Sequence, residues 1–435
     1  MALLPPPQKS PSQKGRARIE PASVGEPSAD EEQSPRGVVA IMRDTLARPL
    51  VDYWMIIGSA ALLIGLGLMF VLSASSVYGQ LQVGDSFFFV KRQSVFMVAG
   101  LIGAVFLARA SLQSLQVMSW AALLLAYGFL VLTYTPLGVD VNGNQNWVEL
   151  GTPLLRFQPA EFAKLALVMW AGAIFTRKQR KLDEPAHLLI PFLPLAGLVL
   201  LLVVFQGDMG TAVIIAGILV SLLLVVGTPK RVLLALSGVG LLGVLAMTVT
   251  SANRMRRLLA FMNPGQDLDG TNMQATVGVY ALATGGWTGT GIGRSRQKWG
   301  SLPEAHTDYI YAVIGEELGL FGALLVLALF FVLGFAGIRV AMHSETLFGR
   351  VTATGITTWF LFQALVNIAV VLRMLPVMGV PLPMLSYGGS ALMANMLALG
   401  VLIACARDVP HAREALQRKH DARPPRVTSI VGSRG

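Results

Sequence analysis

The chain has a single cysteine, Cys405, so it can form no internal disulfide and offers no cysteine cluster to a metal. Histidine is almost as scarce: five residues, at 187, 306, 343, 411 and 420, with no ligand spacing such as H-x-x-x-H. Charge is thin as well. Only 13% of the 435 residues are charged, against about 25% in a soluble domain, which excludes an ordinary soluble fold. No repeat at a solenoid period is visible, and no inverted repeat of the transporter kind stands out. What fills the chain instead is apolar: 54% hydrophobic residues and a mean hydropathy of +0.62. The net charge of +10 does not point to nucleic acid. Its basic residues gather at the ends of apolar segments and in both tails, where membrane orientation and anionic headgroups account for them.

Apolar stretches near the roughly 20 residues needed to cross a bilayer recur between 52 and 406. They predict an all-α polytopic membrane protein of ten transmembrane helices: 52–74, 92–109, 114–134, 158–176, 186–206, 209–227, 231–250, 309–332, 350–373 and 387–406. Residues 1–49, rich in Pro, Ser, Gln and charge, read as a disordered cytoplasmic tail without a signal peptide's pattern. Residues 50–406 form the membrane domain, and 407–435 a basic cytoplasmic tail. Arg177, Lys178, Arg180, Lys181, Lys230, Arg231, Arg339 and Arg350 all fall on the side of Arg43 and Arg48, so both termini are expected in the cytoplasm. Outward connections then lie at 75–91, 135–157, 251–308 and 374–386, with a tight turn at 206–209. The 251–308 connection, between the seventh and eighth spans, is by far the longest, and unstructured loops of that size are usually functional. It breaks the positive-inside rule with Arg254, Arg256, Arg257, Arg294, Arg296 and Lys298. Its segment 271–283 and the glycine-rich 285–293 predict short amphipathic or re-entrant helices joined by turns.

Charges inside a membrane are costly, on the order of 3 kcal/mol or more, and so are candidates for function. Glu161 and Lys164 stand three apart at the start of the fourth span, on one helical face. They read as a structural ion pair or as a grip on a substrate headgroup. Asp208, at the turn before the sixth span, reads first as a helix cap. Glu304, His306 and Asp308 fall within five residues where the long loop meets the membrane, and Glu316 and Glu317 follow two turns later. Asp308 could cap a helix, share a metal or act in catalysis; a metal site would need ligands from elsewhere. The last outward loop, 375–390, holds three prolines and three glycines with Ser386 among them. Such broken backbone at membrane depth suits a cavity wall.

These segments carry a family resemblance. Gly84-Asp-Ser-Phe-Phe-Phe-Val-Lys-Arg-Gln, Asn142-Gly-Asn-Gln-Asn-Trp, Phe157-Gln-Pro-Ala-Glu and Gln206-Gly-Asp-Met-Gly-Thr-Ala appear in order. Phe261-Met-Asn-Pro, Gly285–Gly293, Leu302–Gly319 and Asn367 through Ser390 follow. Together they resemble the shape, elongation, division and sporulation family of peptidoglycan glycosyltransferases, the FtsW/RodA group, and sit closer to the division member FtsW. The resemblance implies polymerisation of lipid II on the outer face of the bacterial cytoplasmic membrane, at the division septum. It also implies a class B penicillin-binding protein as crosslinking partner, with other divisome proteins. The family's essential aspartate maps onto Asp308. The chain departs from the family pattern at Asn146, Gly207, Ala160 and Arg373, so no role is carried over to position 146.

On that reading Asp308 is the general base for the acceptor hydroxyl, and partial desolvation raises its basicity. Arg254, Arg256, Arg257, Arg294 and Lys298 are candidates to hold the departing pyrophosphate, since guanidinium grips it bidentately. Glu161, Lys164, His306 and Ser386 complete the expected substrate contacts. No protein metal site is expected, although a divalent cation such as magnesium could share the pyrophosphate charge. A lipid II flippase, an elongation-type polymerase and a non-catalytic scaffold are the competing readings.

Overall fold

A computed structural model describes residues 44, 46–141, 143–151, 156–182, 184–263, 272–297 and 302–421. The expected tail 1–49 thus lies almost wholly outside the described residues, as does Lys298. Among the described residues ten apolar helices carry the architecture. They are α1 (Val51–Val83), α2 (Phe88–Arg109), α3 (Leu112–Leu132), α4 (Pro159–Arg177), α5 (Phe192–Phe205) and α6 (Met209–Val225). After α7 (Lys230–Thr250) come two short helices, α8 (Ala252–Met262) and α9 (Met273–Gly285). The last three long helices are α10 (Ile310–His343), α11 (Leu347–Val371) and α12 (Gly389–Asp408), followed by α13 (Pro410–Asp421). Eight of the ten are long and apolar enough to cross a membrane, while α5 and α6 are apolar but shorter. The protein is a multi-pass membrane protein.

Helix α4 lies at the centre, buried on nearly every side against α3, α11 and α12. Small residues allow that approach, because lipid offers no hydrophobic drive between helices and close backbone packing must supply it. A Cβ on Gly172 of α4 would come within 2.6 Å of Thr352 Oγ1, and one on Gly355 of α11 within 2.6 Å of Val168 Cγ1. At the other extreme, α7 buries none of its residues and touches only α6 and α8 appreciably.

Two expected boundaries are corrected. The first span does not end at 74: α1 runs 33 residues, about 50 Å at 1.5 Å each, to Val83. The supposed loop 75–91 is therefore mostly helix, closed by a short turn in which Phe87 N donates to Asp85 Oδ1 and Lys91 pairs with Asp85 at 2.8 Å. The 135–157 connection holds a three-stranded antiparallel sheet, β1 (Gly138–Val141), β2 (Asn144–Glu149) and β3 (Arg156–Phe157). Arg156 and Glu149 pair across it at 2.7 Å. The longest strand, β2, reads Asn-Gln-Asn-Trp-Val-Glu, without the apolar–polar alternation that marks a strand in sequence.

The second correction concerns the eighth span. Helix α10 extends to His343 and is broken at Gly319, whose φ of 68° and ψ of −161° are not helical. Its first piece, 310–318, is almost wholly enclosed by protein. The second piece, 320–343, is about 36 Å long and by itself matches a bilayer. The expected short helices in the long connection between α7 and α10 are present as α8 and α9, and α9 packs along α10.

Candidate active site

A broken helix leaves carbonyls and N–H groups without partners, and burial makes each of them expensive. Here the glycine-rich stretch mends the break. Thr290 N and Gly291 N donate to the carbonyls of Glu316 and Glu317, while Leu320 N and Phe321 N donate to those of Gly286 and Trp287. The side chains of Glu316 and Glu317, both fully buried, complete the splice. Glu316 accepts from Ser295 Oγ and Arg296 N; Glu317 accepts from Gly293 N, Ser295 N and Ser73 Oγ. Side chains cannot fit there: a Cβ on Gly289 would lie 2.1 Å from Glu317 O, at a φ of +81°. The stretch that looked like a flexible turn is a fixed splice. Within it Arg294 has an exposed side chain, and its N–H donates to the Gly291 carbonyl at 3.1 Å.

Splicing fixes the start of α10, and the segment before it turns sharply. Glu304 takes a left-handed φ of 54°, rare for a residue with a Cβ and a mark of a constrained site. Its carbonyl accepts from Thr307 N and Tyr309 N, both at 3.2 Å. The turn presents Asp308 just ahead of the helix. Tyr309, not Asp308, occupies the N-cap position, and no side chain caps there, so the cap alternative for Asp308 falls. Asn367 Nδ2, on α11, holds the Asp308 carbonyl at 2.8 Å and the Val380 carbonyl at 2.7 Å. A Cβ on Gly379 would sit 3.7 Å from Asp308 Oδ2, so the carboxylate faces the loop between α11 and α12.

Among the described residues no hydrogen bond ends on that carboxylate. Burial pushes its pKa from 3.8 up to about 7, with the charge of Glu304 and, further off, Asp208 adding to the push and Arg257 opposing it. The residue is half-buried, so water still reaches it and tempers the effect. A carboxyl titrating near neutrality and without a donor is poised to take a proton.

His306 is packed among the rings of Tyr78, Phe89 and Tyr387, with centroids at 5.5, 5.0 and 5.4 Å. Burial lowers its pKa, only partly offset by Glu304, so the ring is neutral at neutral pH. Tyr387 N donates to the His306 carbonyl at 2.8 Å, tying this segment to the last loop.

The basic residues expected to share one task are separated. Arg257 is the one whose charge acts on both Asp308 and Tyr309. It lines a small crevice with Asn272 and Arg373, and Arg373 donates to Thr276 Oγ1 and Asn272 Oδ1. Arg254 instead clamps α8 to its surroundings by donating to the carbonyls of Gly207 and Met247. Arg256 is exposed.

Glu161 and Lys164 form the ion pair that their spacing predicts, at 2.7 Å and about 1% exposed. The ammonium also reaches Gln363 Oε1 at 2.9 Å and lies 4.6 Å from the Trp359 ring centre. Neither side chain faces an open surface, which is unlike a headgroup grip. Ser386 is buried too: its hydroxyl accepts from Leu382 N, and its carbonyl accepts from Gln93 Nε2. It shapes the last loop from within. Asp208 caps α6 through Thr211 N, as expected, and its other oxygen accepts from Asn146 and Gln158. Asn146 thus has a neutral partner role at the position where no role was carried over.

Sequence reasoning missed Gln93, Gln363 and Asn367. The last two had a signal, because two amides four residues apart in an apolar span share one face and demand partners.

The chain can now be set beside known proteins. Residues 53–411 match the family model FtsW/RodA/SpoVE, a cell cycle protein. Stage V sporulation protein E of Bacillus subtilis is 35% identical over 347 residues, covering 80% of this chain and 94% of that protein. A probable peptidoglycan glycosyltransferase FtsW of Trichlorobacter lovleyi is 37% identical over 338 residues, covering 78% and 88% respectively. Among solved structures, one chain comes from a study of how a peptidoglycan synthase complex coordinates polymerization and crosslinking. It superposes with a TM-score of 0.68 at 26% identity, covering 82% of this chain and 98% of that chain.

Proposed function

Because the chain belongs to the FtsW, RodA and SpoVE family of cell cycle proteins, we propose that it is a peptidoglycan glycosyltransferase of the FtsW type that polymerises lipid II. The observation that carries the site assignment is the Asp308 carboxylate. It has no hydrogen-bond donor among the described residues, titrates near neutrality and faces the Gly379 backbone, with the Arg257 charge nearby.

In the reaction the C4 hydroxyl of the acceptor sugar attacks the anomeric carbon of the donor. The new C–O bond forms as the bond to undecaprenyl pyrophosphate breaks, and the hydroxyl proton passes to Asp308. An α-linked donor then gives a β-linked product by direct inversion. Asp308 must be ionised to accept the proton, and its raised pKa makes it a better base than a solvated carboxylate. Arg257 is the first candidate to stabilise the leaving pyrophosphate, since electrostatic stabilisation of developing charge is commonly the largest catalytic contribution. Among the described residues no three His, Cys, Asp or Glu side chains gather to hold a metal. A magnesium ion, where one takes part, would share the charge of the pyrophosphate.

The chain works at the outer face of the cytoplasmic membrane with both termini inside, at the division septum, beside a class B penicillin-binding protein and other divisome proteins. The test is direct: full-length protein, with and without such a partner, is given lipid II and assayed for glycan strands. Strands that lengthen or accumulate faster with the partner support the whole reading. No strands under either condition would remove it, and lipid II appearing across a vesicle bilayer instead would favour a flippase.

A further inference from the structure

Two amides on α11, one turn apart, face the loop that borders Asp308. Gln363 Nε2 donates to the Pro381 carbonyl at 2.8 Å, and Asn367 Nδ2 donates to Val380 at 2.7 Å and to Asp308 at 2.8 Å. Both side chains are buried, so each carbonyl they hold would otherwise lack a partner at a cost of about 1–3 kcal/mol. The orientation of Gln363 is itself determined. Its oxygen accepts from Lys164 Nζ at 2.9 Å and from Trp359 Nε1 at 2.8 Å, which leaves only the amide nitrogen to turn toward the loop. Lys164 in turn is held by Glu161. A continuous buried network therefore runs from α4 through α11 to the backbone on both sides of the Asp308 carboxylate.

We propose that Asn367 and Gln363 are positioning residues for Asp308, and that the Glu161–Lys164 pair acts on the reaction through them rather than on the substrate. The inference rests on the reading of Asp308 as the general base. Neither amide touches the carboxylate. Asn367 grips the main chain of Asp308 itself, and both amides set residues 380–381, next to Gly379, which the carboxylate faces. Proton transfer needs hydrogen-bond reach to the acceptor hydroxyl, and misplacement by about 1 Å can cost on the order of 100-fold. Loss of this hold should therefore strike turnover and leave substrate binding alone. A substrate-gripping role for Lys164 would do the reverse and raise KM.

The test compares Asn367→Ala with Val366→Ala in the full chain, using lipid II as substrate. Val366 is buried beside Asn367 but belongs to no part of the network. We expect Asn367→Ala to lower kcat about 10-fold or more, with KM for lipid II within twofold of wild type. Val366→Ala, at an equal or larger drop in Tm, should keep kcat within twofold. Lys164→Met should follow the Asn367 pattern, with a fall in kcat and an unchanged KM. An unchanged kcat in Asn367→Ala, an equal kcat loss in Val366→Ala, or a raised KM in Lys164→Met would overturn the proposal. Should Asn367→Ala fail to fold, Asn367→Ser is read in the same comparison. A wild-type chain that makes no glycan would refute the polymerase reading itself, and that failure is visible before any variant is compared.

Discussion

Asp308→Asn keeps the size of the side chain and removes its ability to take a proton. General base catalysis contributes about 10²–10⁴-fold, equivalent to about 2.7–5.4 kcal/mol of barrier at 1.36 kcal/mol per decade. Glycan synthesis should fall by at least the lower figure while lipid II binding persists. Stability should move the other way. The folded pKa of Asp308, about 7, stands above the ordinary 3.8, so folding favours the protonated form. That preference is fully present below pH 3.8 and is lost as pH rises through 7. An ionised Asp308 at pH 8 therefore costs the fold up to about 4 kcal/mol at 1.36 kcal/mol per unit, less whatever water recovers at the half-buried group. The neutral amide escapes that cost. Thermal unfolding at pH 8 should show Asp308→Asn at least as stable as wild type, and the difference should shrink toward pH 5. In wild type, kcat/KM should climb through pH 7 and level off above it as the base form fills. Near-normal polymerisation by Asp308→Asn would refute the catalytic assignment. A variant that loses stability at pH 8 would show that the carboxylate makes stabilising contacts and is not held free.

Removing one member of the Glu161–Lys164 pair strands a buried charge, at a typical cost of about 3–5 kcal/mol. Either single alanine variant should thus unfold at a lower temperature than the double variant, and simple addition of the two losses would break the pairing argument. Gly289→Ala drives a methyl group into the Glu317 carbonyl and should abolish folded protein, as judged by monodisperse yield. Gly84→Ala has open space beside it and bears only the strain of its left-handed φ of 76° and ψ of 9°, about 1–2 kcal/mol, so equal yields from the two would argue against the splice. For orientation, an alkaline phosphatase fusion after Gly270 should be active and one after Arg180 inactive; the opposite result inverts the assigned topology.

Much of this protein is legible locally. A bilayer demands about 20 apolar residues per crossing, and that demand is written in consecutive sequence, so the ten apolar helices and the long connection between α7 and α10 follow without tertiary information. Helical spacing likewise places Glu161 on Lys164, since residues three apart meet whatever surrounds them. The turn aspartate Asp208 was readable as a cap for the same reason. Asp308 stood out because titratable groups crowd where a loop enters the membrane.

What remained was decided by partners distant in sequence. The break at Gly319 is tolerable only because residues 286–291 supply its missing hydrogen bonds, and nothing within α10 announces that. Five basic residues, which composition cannot rank, separate in space into a backbone clamp at Arg254, exposed cations at Arg256 and Arg294, and a charge felt by Asp308 at Arg257, while Lys298 lies outside the described residues. The raised pKa of Asp308 depends on its burial, and its main-chain carbonyl is held by Asn367, 59 residues away. Hydropathy acts along the chain and can be read there. Hydrogen-bond partnership and desolvation are properties of the space between chain segments, so only the folded arrangement determines them.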